Sequence, residues 1–217
     1  MADPAAVGLE LPTAGRESPG ARRAGHRALE EGALAPGKKN AARQGRTIVF
    51  IDESGLSERP HRCRTWAPRG QTPVLHHAFH WHHFSAIAGI TWWNFYFRLY
   101  PDAINAARVV VFLRQLQRHV TGNLLIVWDR LNAHRSARVR DFIEAQQGRI
   151  QVEWLPAYAP ELNPVEYLWG HWKHHELPNF CPRDAWALSA AARRALRRMR
   201  RRPSLIVACW KQAELFA

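Results

Sequence analysis

The sequence predicts an α/β protein built on five strands, and three observations carry that prediction. Two unbroken apolar runs, Thr47 to Ile51 and Leu124 to Trp128, have the composition of strands buried on both faces. Stretches between and after them repeat their apolar residues at helical spacing. Each run ends in an aspartate, Asp52 and Asp129. An α/β sheet presents acids in a crevice in this way, from the carboxyl ends of its strands.

Composition narrows the function. The chain has 217 residues, 47% of them hydrophobic, enough for one good core. Its formal charge is +13 and its pI is near 10.9, which favours a polyanionic partner, nucleic acid before an anionic membrane. Cys63, Cys181 and Cys209 are odd in number and far apart, suggesting neither a disulfide framework nor a zinc ribbon. That usage fits a reducing interior. No apolar run approaches the roughly 18 residues of a membrane span, and the N-terminus carries no apolar signal core.

Residues 1 to 45 are rich in Ala, Gly, Pro and Arg and short of large apolar side chains. Such a segment buries too little surface to offset its ordering entropy and reads as a disordered arm. Its end is basic, with Lys38, Lys39, Arg43 and Arg46. The first strand follows and stops at Asp52, where Asp-Glu-Ser-Gly also suits a turn. Arg59 to Pro73 carries turn chemistry that fits a hairpin. His76, His77, His80, His82 and His83 lie within eight residues, but with no Cys or acid among them they read as a polar strand edge or phosphate contact. Phe84 to Thr91 and Trp92 to Phe97 read as paired strands turning near Trp93-Asn94.

Asn105 is placed to cap a helix reaching His119, with Val109, Phe112, Leu113, Leu116 and Val120 on one face. Gly122-Asn123 breaks it before the strand that ends in Asp129. Ser136 caps the next helix, with Val139, Phe142, Ile143 and Gln146 on one side. Ile150 to Leu155 is the last strand. Asn163 is a good N-cap and Pro164 suits the first helical position, with Val165, Leu168, Trp169 and Trp172 as the buried stripe. Glu166 then falls at N3, where a capping box would use it without any metal. From Asp184 a final helix begins. Its stripe of Leu188, Ala192, Ala195, Leu196 and Met199 is weak, and arginines crowd its other positions. Arg193, Arg194, Arg197, Arg198 and Arg201, with no acids among them, read as a surface that tracks phosphates.

Asp52, Asp129 and Glu166 thus come from distant parts of the chain as candidates for one metal site. In-line cleavage or joining of a phosphodiester needs charge neutralised on both the attacking and the leaving oxygen. Two Mg2+ ions roughly 3.5–4 Å apart do this, and such hard cations take carboxylate ligands. Asp52 would bridge the ions, and Asp129 and Glu166 would each complete one. Lys173, about two turns after Glu166, is placed to reach a phosphate.

The segments Phe50-Ile51-Asp52-Glu53-Ser54-Gly55, Trp66-Ala67-Pro68-Arg69-Gly70, Trp128-Asp129 with His134-Arg135-Ser136, and Leu155-Pro156 through Pro160-Glu161-Leu162-Asn163-Pro164-Val165-Glu166-Tyr167-Leu168-Trp169 resemble the catalytic domain of DDE insertion-sequence transposases. The group is mariner-like, in the bacterial branch called insertion sequence six-thirty. The resemblance implies an RNase H-like fold with a central mixed five-stranded sheet flanked by helices. It divides the chain into an arm (1–45), a catalytic domain (46–178) and a basic helical extension (179–217). It implies Asp52, Asp129 and Glu166 as catalytic metal ligands for two Mg2+, with Mn2+ as a substitute. Cleavage at transposon ends and strand transfer, at a TA dinucleotide, would follow. Double-stranded DNA is the expected partner, contacted by His134, Arg135, Lys173 and the C-terminal arginines, in a homodimer of the bacterial cytoplasm and nucleoid. Family members carry helix-turn-helix domains ahead of the catalytic domain. Here only the low-complexity arm precedes it, so end recognition is expected from a separate polypeptide. Arg130 stands where the family often has Asn or Gly. Two alternatives stay open: an inactive DNA-binding remnant, and an RNase H-like nuclease acting on hybrids or junctions.

Overall fold

The computed structural model describes residues 41, 43–76, 83–156 and 159–215. Nearly all of the expected arm, with Lys38 and Lys39, lies outside them, as do His77, His80 and His82. The described chain runs β1 (Thr47–Ser57), β2 (His83–Ile90), β3 (Phe95–Tyr100), α1 (Ala106–His119), β4 (Leu124–Trp128), α2 (Ala137–Glu144) and β5 (Ile150–Trp154). A 3-10 turn (Pro160–Leu162) leads into α3 (Pro164–His171), which continues as a π-helical turn (Trp172–Glu176). Two helices, α4 (Ala185–Arg200) and α5 (Pro203–Gln212), follow.

The strands form one mixed sheet in the order β3-β2-β1-β4-β5. β1 pairs antiparallel with β2 and parallel with β4, while β2–β3 is antiparallel and β4–β5 parallel. Successive side chains of a strand face opposite ways, so β1 feeds two cores. Val49 and Ile51 pack with Phe112, Leu113 and Leu116 of α1 and with Val139 of α2. Phe50 faces the other side, among Trp169, Trp172 and the apolar stripes of α4 and α5. Trp210 of α5 meets Phe50 edge-on at 5.2 Å, and its indole N–H donates to the Thr91 carbonyl at 2.8 Å. The residues expected to form only a weak stripe on an extension are therefore buried against the same sheet.

The helix starts are those expected. Asn105, Ser136, Asn163 and Asp184 each accept a backbone N–H from the first turn through their side chains. Three local expectations are corrected. β1 does not stop at Asp52 but runs on to Ser57, because Asp52 to Ser57 pair with Ala88 to His83 of β2. Pairing with a long neighbour overrides the turn propensity of Asp-Glu-Ser-Gly. The hairpin expected over Arg59 to Pro73 is not formed; the segment holds one isolated bridge, His61 to Pro178. The last helix is two, broken at Arg201-Arg202, with Pro203 opening the second where its missing N–H costs nothing.

Candidate active site

The parallel register between β1 and β4 ends at Phe50 opposite Val127. Continued by two residues, it sets Asp52 beside Asp129, just past the end of β4. Asp52 therefore sits within β1 yet beyond its last parallel partner, at the carboxyl edge of the sheet's parallel half. Its side chain is buried, and Oδ2 accepts the Trp169 indole N–H from α3 at 3.0 Å. Burial first, then the charges of Glu166, Glu53 and Asp129, push its pKa up to about 8. A carboxyl surrounded by carboxyls favours its neutral form.

Asp129 is half-exposed and is positioned differently. Its Oδ1 accepts the Leu131 N–H at 3.1 Å and the His134 Nδ1–H at 2.9 Å. Partial burial acts to raise its pKa, but the bonds from His134 and Leu131 outweigh it and hold Asp129 below the usual carboxylate range. His134 is buried, stacked on Trp128 at 4.3 Å, and its Nε2 reaches Glu53 Oε1 at 2.8 Å. Burial disfavours the charged ring, yet the bonds to Asp129 and Glu53 prevail and raise its pKa to about 10. The imidazolium thus donates to both acids. Glu53 Oε2 is buried without a hydrogen-bond partner among the described residues.

Glu166 rises from the first turn of α3. It does not close a capping box, because the Asn163 N–H is already donated to the Pro160 carbonyl at 2.9 Å. Desolvation and the charge of Asp129 raise its pKa, while Lys173 opposes them. Lys173, on the π turn, is lowered by burial and supported by Glu166 and Asp52. The expected acids and Lys173 therefore share one electrostatic neighbourhood. They do not close on a single point. The one group of three ligating side chains drawn within 4.8 Å of one another, among the described residues, is His61, Cys63 and His174.

The other expected DNA contacts are placed differently from one another. His134, expected at DNA, is corrected: its ring is buried and engaged at both nitrogens. Arg130 and Arg135 are exposed. Arg198 pairs with Glu176, as does Arg202 at 3.4 Å, so that part of the arginine run is not free of acids. Arg193, Arg194, Arg197 and Arg201 make no ion pair among the described residues and line a groove beside the exposed Trp186. Sequence reasoning did not single out Glu53, which holds the far side of His134. The signal was its place next to Asp52, which puts it on the opposite face of the strand.

Comparison with known proteins follows the same lines. A Mos1 transposase paired-end complex with left transposon end is 21% identical, covering 100% of this chain and 69% of that one at a TM-score of 0.57. The mariner Mos1 paired-end complex with Mg gives 20%, 99% and 66%, at 0.63. The Mos1 mariner catalytic domain alone is 17% identical and is covered over 98% of its length, at 0.50. At these identities the likeness is one of fold, and the mixed five-stranded sheet flanked by helices is RNase H-like. A search of curated proteins gives no match. No helix among the described residues is long and apolar enough to cross a membrane. Residues 47–184, well over half of the chain, match the family described as DDE superfamily endonuclease, and the chain belongs to that family.

Proposed function

We propose that this chain is the catalytic part of a DNA transposase, cutting DNA at transposon ends and joining the freed 3′ ends to a target. Asp52, Asp129 and Glu166 are its catalytic acids and metal ligands. The observation that carries the reading is the state of Asp52, a buried acid on which three other carboxylates act and whose side-chain partner is an indole rather than a cation. Carboxylates gathered in this way fit a cation, and an oxygen-only donor set fits a hard one. When bound, a pair of Mg2+ ions, or Mn2+ in their place, supplies neutralisation of the attacking and leaving oxygens.

The chain's own residues do the positioning. Trp169 holds Asp52 by one oxygen, and His134 with the Leu131 N–H holds Asp129 by Oδ1. Among the described residues no donor occupies Asp129 Oδ2. Glu53 fixes the far side of His134, so the ring stays charged and aligned. Lys173 supplies a cation beside Glu166 for a phosphate of the backbone. The solved Mos1 complexes are with transposon-end DNA and include Mg and Mn forms, which supports double-stranded DNA and divalent metal for this chain too. The reading includes a catalytic unit over 46–178, a basic DNA-tracking region over 179–217, a homodimer joining two ends, and end recognition by a separate helix-turn-helix polypeptide in a bacterial cell.

Nicking of supercoiled plasmid tests it. The purified chain is expected to nick in Mg2+ or Mn2+ and not in EDTA. Asp52→Ala, Asp129→Ala and Glu166→Ala are each expected to lose at least about 100-fold in rate, the scale of removing a transition-state contact. Cleavage that survives Glu166→Ala would overturn the assignment of that acid. A wild type that binds DNA but never nicks, even with an end-recognition polypeptide supplied, would make the chain an inactive remnant.

A further inference from the structure

We propose that His61, Cys63 and His174 form a binding site for a soft divalent cation of the zinc class, separate from the acids. His61 and Cys63 lie two residues apart, and their ligating atoms converge with that of His174 to within 4.8 Å of one another. Their segment is pinned to Pro178-Asn179. His61 bridges to Pro178, the Asn179 N–H donates to the His61 carbonyl at 2.9 Å, and the Asn179 side chain spans both backbone groups of Cys63. Its Oδ1 accepts the Cys63 N–H at 2.8 Å, and its Nδ2 donates to the Cys63 carbonyl at 3.0 Å. Asn179 does this at φ 54, in the left-handed region that asparagine enters more readily than most residues. His174 comes from the π-helical turn, a local irregularity often found at functional sites.

Two of the three ligand–ligand distances are those expected around a tetrahedral ion. His61 Nε2 lies 3.1–3.2 Å from the ring nitrogens of His174, and Cys63 Sγ lies 3.7 Å from His174 Nδ1. Zinc bonds of about 2.0–2.1 Å to nitrogen and about 2.3 Å to sulfur give tetrahedral edges of about 3.3 Å between nitrogens and about 3.6 Å between nitrogen and sulfur. The alternative is a hydrogen-bonded histidine pair. It accounts for one proton between two rings but gives the thiol only long contacts, to His174 Nδ1 and to the His174 carbonyl at 3.8 Å. Two imidazoles and a thiolate select zinc or its neighbours over magnesium. Three protein ligands leave a fourth position for solvent, which the exposure of His174 and the partial exposure of His61 and Cys63 allow. The ion would staple the β1–β2 connection to the end of the helix that carries Glu166.

Cobalt(II) is the probe. The full chain, freed of metal by chelator and kept reduced, is titrated with Co2+. One equivalent is expected to give the visible bands of a tetrahedral site and a thiolate-to-cobalt charge-transfer band, both bleached by zinc and untouched by excess Mg2+. Cys63→Ser should remove the charge-transfer band with an unchanged circular dichroism spectrum, whereas Cys181→Ser should keep it. His174→Ala should weaken binding by more than the roughly 10–100-fold lost with a supporting partner. Asn179→Ala, which removes only the clamp, should fall within that range. Asp129→Ala should leave the bands intact, which separates this site from the acids. Absence of the charge-transfer band at one equivalent, its persistence in Cys63→Ser, or its loss in Cys181→Ser would overturn the proposal.

Discussion

Asp52 is where local chemistry and fold conflict most. An acid buried among acids is held largely neutral, and its pKa of about 8 stands far above the ordinary 3.8. The folded state therefore binds this proton more tightly than the unfolded chain. Its contribution is fully present below about pH 4 and is lost as pH rises through about 8, by an amount on the order of a few kcal/mol. Asp52→Asn keeps an acceptor for Trp169 and removes the charge. In chelator-treated protein the variant should match wild type near pH 4.5 and melt several degrees higher near pH 8.5. A melting temperature equal to wild type at both values would mean that Asp52 is not strained. The candidate acids were legible because each ends an apolar run or opens a capped helix. The support around them was not. His134 meets Glu53 across 81 residues of chain, and Cys63 meets His174 across 111. No local pattern marks either pair, and the fold alone brings them together.

At the scale of elements, what was legible depended on whether a signal is local. Helix starts are local, since a cap and its N–H lie within three residues; the three expected caps are made, and Asp184, expected only as a helix start, caps as well. The end of β1 depends instead on β2, which was out of reach of any reading of Asp52 to Gly55. The close approach of α1 to the sheet has a similar origin. Gly89 of β2 lies under α1, and a methyl group there would come within 3.1 Å of Val49 Cγ1 and 3.4 Å of Phe112 and Leu116. Val49 is β-branched and stiff at χ1, so it cannot easily turn away. Gly89→Ala should therefore cost about 1–3 kcal/mol, the usual cost of overpacking. Urea unfolding would read this as a lower midpoint with an unchanged slope. An unchanged midpoint would show that α1 rides further from the sheet than the packing implies.

For the whole molecule, the charge of +13 announced a polyanionic partner, but the sequence did not say which arginines are available to it. Along α4 the run looks uniform. In the fold, Glu176 takes Arg198 and Arg202 from 22 and 26 residues away, and Arg200 lies 6.0 Å over the Phe97 ring. That leaves Arg193, Arg194, Arg197 and Arg201 along the groove beside Trp186. Each arginine that neutralises a duplex phosphate adds about 0.9 to the slope of log affinity against log salt. Replacing Arg193, Arg197 and Arg201 with alanine should therefore flatten that slope by about 2.7, since three contacts at about 0.9 each are lost. Arg198→Ala should change it by much less than one contact, because its charge is already answered by Glu176. Fluorescence anisotropy of a labelled duplex over a sodium chloride series measures both. Equal effects per residue would mean that the Glu176 pairs open on binding. An unchanged slope in the triple variant would place the DNA on another face and detach the most basic helix from the reaction at the acids.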